Sequence, residues 1–555
     1  MTPPIVIGTL YGILTVLCLA ALRPKSWVDG LIRSSISALA RLGERRGPAI
    51  ATIFFGVIAI RLAVLPLLGI PTPGIHDEFG YLLAADTFVH GRLANPTPAM
   101  WKSFETFHEN FLPTYSSMYP PAQGAFLALG QLLGQPWIGV LLSTALMCVA
   151  IYWALCAWIP PRWAFLASLM AALKLCVATY WINSFWGGAP AAIGGALVLG
   201  AFGRILQRPR VGNAVLLGIG VSLLANSRPF EGMLYCLPVA GVFLYWLAGK
   251  TKSPGTTKLR VQKVLLPLSA ILIANFAFMG YYNWRLTGSP WQFPEQLNSR
   301  KYDVGAIFLW QLPKPPRVFD NAQFDDFYNH WERDLYQRTW EDFEDVTHTK
   351  YLLFLVTFAW WGLLCAIPGV FYLLRRRRMR LPLAALGCLS AGAFVLTWAY
   401  PHYFAPATAV FYACVALAIR RTHHLRPRKI AIGPLLARLV VLALVLDVTT
   451  AVVTENPDAI GWGGQRMTSR TEFIKQLEST PGNHLIMVRY AENHSSHDEW
   501  VFNGADLDGA KVIWARELDP EQNQRLFAYY KNRKIWVVNA DAFIPSLDPY
   551  SPPKN

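Results

Sequence analysis

His76-Asp77-Glu78-Phe79-Gly80-Tyr81-Leu82-Leu83-Ala84-Ala85-Asp86-Thr87-Phe88-Val89-His90 is the stretch whose reading decides the fold. It follows an apolar segment, 51–70, in which Arg61 is the one charged residue, and Pro71 and Pro73 stop the helix just before it. It opens a polar loop that runs to about Pro136. Two adjacent acids a few residues beyond a membrane-length helix are costly unless they have a task.

Working outward, the composition supports a membrane setting. Of the 555 residues, 54% are hydrophobic and only 15% charged, against about 25% charged in soluble proteins. Several apolar runs reach the roughly 20 residues that cross a bilayer. The formal charge of +16 would suggest nucleic acid in a soluble chain. Here basic cytoplasmic loops account for it, and no nucleic-acid partner is expected. All eight cysteines lie inside apolar runs, which leaves no disulfide framework or cysteine metal site in the aqueous parts.

The expected architecture is a polytopic α-helical membrane protein of about twelve transmembrane helices, at 5–22, 51–70, 137–158, 163–182, 187–206, 212–228, 231–248, 264–283, 351–373, 381–399, 402–420 and 431–452. The first is read as a retained span, because it lacks a basic n-region and a cleavage site. Five arginine- and lysine-rich connections, following the first, fifth, seventh, ninth and eleventh spans, fall on one side if the spans alternate. The positive-inside rule makes that side cytoplasmic. The loops 71–136 and 284–350 and the tail from about 453 then face outward. This predicts an inner (plasma) membrane protein with its site on the periplasmic or extracellular side.

Three regions follow. Residues 1–50 carry an extra span and a basic loop, 51–452 form the membrane domain, and 453–555 form a small extracytoplasmic α/β domain. In that tail Leu485–Val488, Lys511–Ala515 and Lys534–Val538 read as strands, and Pro520–Tyr530 as a helix opened by proline. In the second outer loop Phe324, Phe327, Tyr328, Trp331 and Leu335 recur at helical spacing. They predict an amphipathic helix lying on the membrane surface or against the active site, with an aromatic stripe that merely packs as the equal alternative.

A carboxylate at the mouth of a membrane cavity can serve as general base toward a hydroxyl or ligate a divalent cation. It can also simply occupy the favoured first turn of a helix. Asp77 and Glu78 cannot both point the same way, so one faces the cavity while the other accepts hydrogen bonds. The acidic motif, together with Met118-Tyr119-Pro120-Pro121-Ala122-Gln123-Gly124 near the end of the same loop, resembles the GT-C superfamily of integral-membrane glycosyltransferases. The likeness is to bacterial relatives of protein O-mannosyltransferases and of the aminoarabinose transferase that modifies lipid A. It covers 51–420 in layout and these two motifs in sequence. It implies inverting transfer of a sugar from a polyprenyl-phosphate donor to an acceptor lipid, glycan or protein on the outer face. It also implies that Asp77 is the catalytic base and that Glu78 supports it. The chain departs from the family in its extra N-terminal span. It also lacks a second acid near the link Asn183-Ser184-Phe185-Trp186-Gly187-Gly188-Ala189-Pro190, which weakens a metal-dependent version.

A lipid phosphate leaves readily if positive charge meets it. Arg228 is the preferred cation, since guanidinium matches phosphate oxygens in a fork, and His402 is a second candidate; the alternatives are snorkelling to lipid headgroups for Arg228 and a satisfied interfacial histidine for His402. Tyr81 and Tyr119 complete the expected substrate-binding set. Lys102, Arg300 and Lys301 are further outer cations, while Arg61 and Lys174 fall within spans and are left unassigned. His76, Asp77, Glu78, His90, His108 and Glu109 share one loop, and His494, His497, Asp498 and Glu499 cluster in the tail, without a zinc-signature spacing in either group. The metal ligands are left unknown, with Mg or Mn as the possible cation. The competing readings are a transporter or flippase of lipid-linked glycans, and a glycan ligase or polymerase. The inverted repeats that would favour transport are not seen in the sequence.

Overall fold

The computed structural model describes residues 12, 27–250, 256–426, 432–454 and 465–551. The expected span 5–22 therefore lies outside the described residues except for Gly12. Among the described residues eight helices are long and apolar enough to cross a membrane: Arg46–Ala63, Pro136–Leu155, Ala189–Gln207, Pro229–Leu247, Thr257–Thr287, Arg377–Val395, Pro401–His423 and Ile432–Thr454. A ninth would be Trp340–Phe358 with Trp361–Leu373, which are bent by 87° at their junction. The chain is an integral membrane protein.

The difference from twelve has local causes. The run 163–182 becomes Pro161–Leu175 and a separate turn, Tyr180–Asn183. Fifteen residues rise only about 22 Å, short of a bilayer core of about 30 Å. The run 212–228 becomes Val211–Ala225, equally short. The run 351–373 breaks where Ala359 and Trp360 turn to extended backbone. The Trp360 indole there donates to the Val440 carbonyl at 2.8 Å. The basic connection after residue 22 contains a helix, Trp27–Glu44, that packs on Pro161–Leu175.

The helical core centres on Pro136–Leu155, Ala189–Gln207 and Pro401–His423, the first of which is 72% and the other two 83% buried within the protein. Small residues (Ala191, Ala192, Gly194, Gly195) let Ala189–Gln207 approach its neighbours closely. The loop 71–136 holds a two-stranded ribbon, β1 (Glu109–Asn110) and β2 (Ser116–Ser117). The tail holds β3 (Asn483–Arg489), β4 (Val512–Arg516), β5 (Arg533–Asn539) and β6 (Asp548–Pro549), in sheet order β4-β3-β5-β6. β3 pairs in parallel with β4 and β5, while β6 closes the edge antiparallel. One face of this sheet packs Leu485, Met487 and Ile513 against Leu83, Phe104 and Phe111 of the first outer loop. The tail therefore rests directly on the segment that follows Asp77 and Glu78.

Candidate active site

The helix Asp77–Val89 begins at the acidic pair. Its first turn is pressed against the rest of the loop at Gly80. A Cβ there would stand 2.9 Å from the His108 carbonyl oxygen and 3.1 Å from the Tyr119 ring. Glycine thus permits the approach that brings Tyr119 to Asp77.

The two acids diverge. The Glu78 carboxylate is buried and accepts backbone N–H bonds from Gly74 (2.7 Å), Ile75 (3.1 Å) and Phe185 (2.7 Å). Burial pushes its pKa up to about 7 against these bonds, with the neighbouring Asp77 adding to the rise. Glu78 thereby fastens the loop to the 183–188 link. Arg61 grips the same link, donating to Asn183 Oδ1 at 2.8 Å and to the Gly69 carbonyl at 2.9 Å, with its guanidinium over the Trp137 ring. Asp77 remains partly accessible, with a quarter of its side chain exposed. Its Oδ1 accepts the Tyr119 hydroxyl at 2.6 Å. Its Oδ2 lies 3.7 Å from His76 Nδ1 and 3.6 Å from His108 Nε2.

His76, Asp77 and His108 offer three ligand atoms within 4.8 Å of one another. His76 is buried, and neither ring nitrogen has a hydrogen-bond partner. Burial and the nearby rings of His108 and His497 hold its pKa well below the ordinary value, so the imidazole is neutral and ligand-ready. Two imidazoles and one carboxylate fit Mn or Zn and do not suit Mg, which prefers oxygen ligands. Of the loop residues considered for a metal, Glu78 is taken up by backbone, His90 turns to Asp86, and Glu109 is buried elsewhere. From the tail cluster His497 reaches this site. Its ring lies 5.8 Å from His76 and 4.8 Å from Trp331. His494 pairs with Asp541 at 2.9 Å and Glu499 with Arg516.

The aromatic stripe of the second outer loop forms the opposite wall. Ala322–Phe324 and the wide helical turn Asp325–Glu332 place Phe327 edge-on to His76 at 5.0 Å. Phe324, Phe327 and Tyr328 also pack with Phe107, Tyr302 and Val304, so the stripe serves as core as well as neighbour of His76.

Behind Asp77 the Tyr119 ring stacks on Tyr81 at 4.2 Å. Tyr81 and Tyr403 lie within electrostatic reach of both Asp77 and Arg228. The Arg228 guanidinium sits 4.4 Å over the Tyr403 ring. Burial opposes its charge, but Tyr81, Tyr403, Glu231 and Glu295 around it outweigh burial and keep it protonated. Glu295 is exposed to solvent but closely surrounded by protein, which lifts its pKa to about 6 while Arg228 draws it back. His402 is buried, with Nδ1 3.0 Å from the Tyr180 hydroxyl and its ring against Trp186. Lys102 and Lys301 are spent on surface ion pairs with Asp320 and Glu105, each at 2.9 Å. Lys174 pairs with Asp447 of the last span at 2.6 Å.

The residues missed in the sequence are Phe502 of the tail, stacked on Phe79 at 3.8 Å, Glu295 of the second loop, and Tyr403 of the turn Pro401–Ala407. The Ala505 amide also donates to Asp86 at 2.6 Å.

No protein-family model and no curated protein sequence matches the chain. Solved structures do. The oligosaccharyltransferase of Archaeoglobus fulgidus in its apo form aligns over 89% of this chain and 69% of its own, at 12% identity and a TM-score of 0.50. The same enzyme with Zn and sulfate aligns over 88% and 67%, at 13% identity and 0.46. ArnT from Cupriavidus metallidurans bound to undecaprenyl phosphate aligns over 87% of this chain and 92% of its own, at 13% identity and 0.49. The fold of this chain is thus the one found in GT-C membrane glycosyltransferases, the superfamily that its acidic and Tyr-Pro-Pro motifs resemble.

Proposed function

We propose that the chain transfers a sugar from a polyprenyl-phosphate donor to an acceptor hydroxyl on the outer face of the membrane, inverting the anomeric carbon. The observation that carries this reading is the Asp77 carboxylate, which is held through Oδ1 by Tyr119, keeps a quarter of its side chain exposed, and shares two electrostatic neighbours, Tyr81 and Tyr403, with Arg228. The acceptor O–H proton passes to Asp77. The acceptor oxygen bonds to the anomeric carbon as the bond from that carbon to the phosphate oxygen breaks. The polyprenyl phosphate leaves as an anion beside Arg228, which carries the positive charge this step needs. Glu78 positions Asp77 by tying its loop down. Tyr81 and Tyr119 line the sugar path, and His402 steadies the wall beside Arg228. A divalent cation at His76, Asp77 and His108 would supply further charge stabilisation.

On this reading 1–50 is an accessory membrane segment, 51–452 the catalytic membrane domain, and 453–555 an outer domain that covers the site. The alignment with an oligosaccharyltransferase supports the fold, and the residues around Asp77 support the chemistry. The test is transfer of label from a radiolabelled polyprenyl-phosphate sugar in membranes. Asp77→Asn is expected to abolish transfer while the protein inserts and accumulates normally. Undiminished transfer removes Asp77 from the role of base. Translocation of the lipid-linked sugar with no covalent product favours a flippase.

A further inference from the structure

The helices that hold the Asp77 site at one end frame a second cavity at the other. Ala189–Gln207 starts at the link that Glu78 grips and runs 19 residues, roughly 28 Å at 1.5 Å per residue, to the rim of this cavity. The cavity has a volume of about 820 Å³. One wall is apolar and includes Trp158 and Leu206, while the other carries Arg376, Arg377, Arg378 and Arg420. Arg376 and Arg420 are half-buried, and Arg377 and Arg378 are exposed.

The negative helix ends at this rim are already neutralised. Gln207 donates to the Ala157 carbonyl, and Arg204 to the carbonyls of Trp153 and Gly200. Among the described residues no carboxylate is ion-paired with any of the four arginines. Four guanidinium groups without an acidic partner, facing an indole and an aliphatic wall at the end of membrane-length helices, present cationic and apolar surfaces side by side. That is the chemistry of a phosphate joined to a glycerol and its acyl chains. A soluble phosphate would use the arginines and leave the apolar wall wet.

We propose that this cavity binds the phosphodiester headgroup of an anionic glycerophospholipid from the adjoining leaflet. The site is distinct from the Asp77 site and independent of the reaction proposed there.

The test uses the full chain in phosphatidylcholine nanodiscs containing a minority of phosphatidylglycerol, with the retained lipids counted by native mass spectrometry after release. Wild type is expected to retain phosphatidylglycerol selectively. R376Q/R420Q is expected to lose that selectivity by about tenfold, from a few-fold per basic residue near a charged leaflet. R377Q/R378Q alters only exposed side chains and is expected to lose about fivefold even if the half-buried pair proves needed for folding. K258Q/K263Q removes the same charge from the exposed start of Thr257–Thr287, outside the cavity lining, and is expected to change selectivity less than twofold. An equal loss in K258Q/K263Q, equal retention of phosphatidylcholine by the wild type, or displacement of the lipid by inorganic phosphate would each overturn the proposal.

Discussion

Replacing Tyr119 by phenylalanine removes one hydroxyl from the centre of the site. That hydroxyl donates to Asp77 Oδ1 at 2.6 Å, the short distance of a bond to an ionised acceptor. The ring, its stacking on Tyr81 at 4.2 Å and its contact with Gly80 are all retained. The perturbation therefore acts on the orientation of the carboxylate. A hydrogen bond to a charged group contributes about 1.5–3 kcal/mol. If it is needed to aim Oδ2 at the acceptor, its loss lowers kcat by roughly 10- to 150-fold, at 1.36 kcal/mol per decade. Arg228 is untouched and the ring that lines the sugar path is kept, so the KM for the donor should stay within about twofold. Initial rates of labelled-sugar transfer in proteoliposomes read both quantities. A kcat within twofold of wild type would refute the argument that Tyr119 aims Asp77. A raised KM with unchanged kcat would confine the Tyr119 hydroxyl to binding the donor sugar.

Two further substitutions probe what holds the site. Glu78 has a pKa of about 7 in the folded chain against an ordinary 4.5, so the folded state holds the extra proton between these values. The stability it contributes is complete below pH 4.5 and is lost as pH rises through about 7, at up to about 1.4 kcal/mol per pH unit. Melting curves across that window should show this slope, and Glu78→Gln should flatten it while costing about 1–3 kcal/mol from a mispaired backbone N–H; an unchanged slope in the variant assigns the pH dependence to other groups. Lys174→Met should destabilise by about 2–3 kcal/mol, since it strands Asp447, with the partial exposure of that carboxylate softening the loss. The double variant with Asp447→Leu should recover most of the melting temperature, and failure to recover would mean that Lys174 does more than neutralise its partner.

The residues around Asp77 that could be read from the sequence are those close to it along the chain. The acidic pair stands out because charge is rare there, and Tyr119 because Pro120 and Pro121 mark the end of the same loop. The strands of the tail were legible from β-branched and aromatic runs, and Pro520 marked its helix. What composition could not separate was a helix buried among helices from one that spans lipid. Val211–Ala225 is as apolar as the true spans but too short, and Pro161–Leu175 is both short and broken by Arg162 and Lys174. Nor does hydropathy show the extended backbone at Ala359 and Trp360. The walls of the site that come from other elements, such as Phe502 on Phe79 and His497 beside His76, are distant in sequence and carry no local signal. The two acids were distinguishable only in kind: one had to face the cavity, but the backbone amides that claim Glu78 include one at Phe185, 107 residues away.

The seat of the tail on the first outer loop has a consequence in time. Asp86 receives the amide of Ala505, 419 residues downstream. At about 5–20 residues per second, a nascent chain carries the loop for roughly 20–80 s before its covering strand exists. During that interval Phe79 has no Phe502 to stack on and His76 has no His497 beside it. The candidate site is thus completed by residues made long after the helix that begins at Asp77, so a molecule stalled before Phe502 would hold that helix without its aromatic cover.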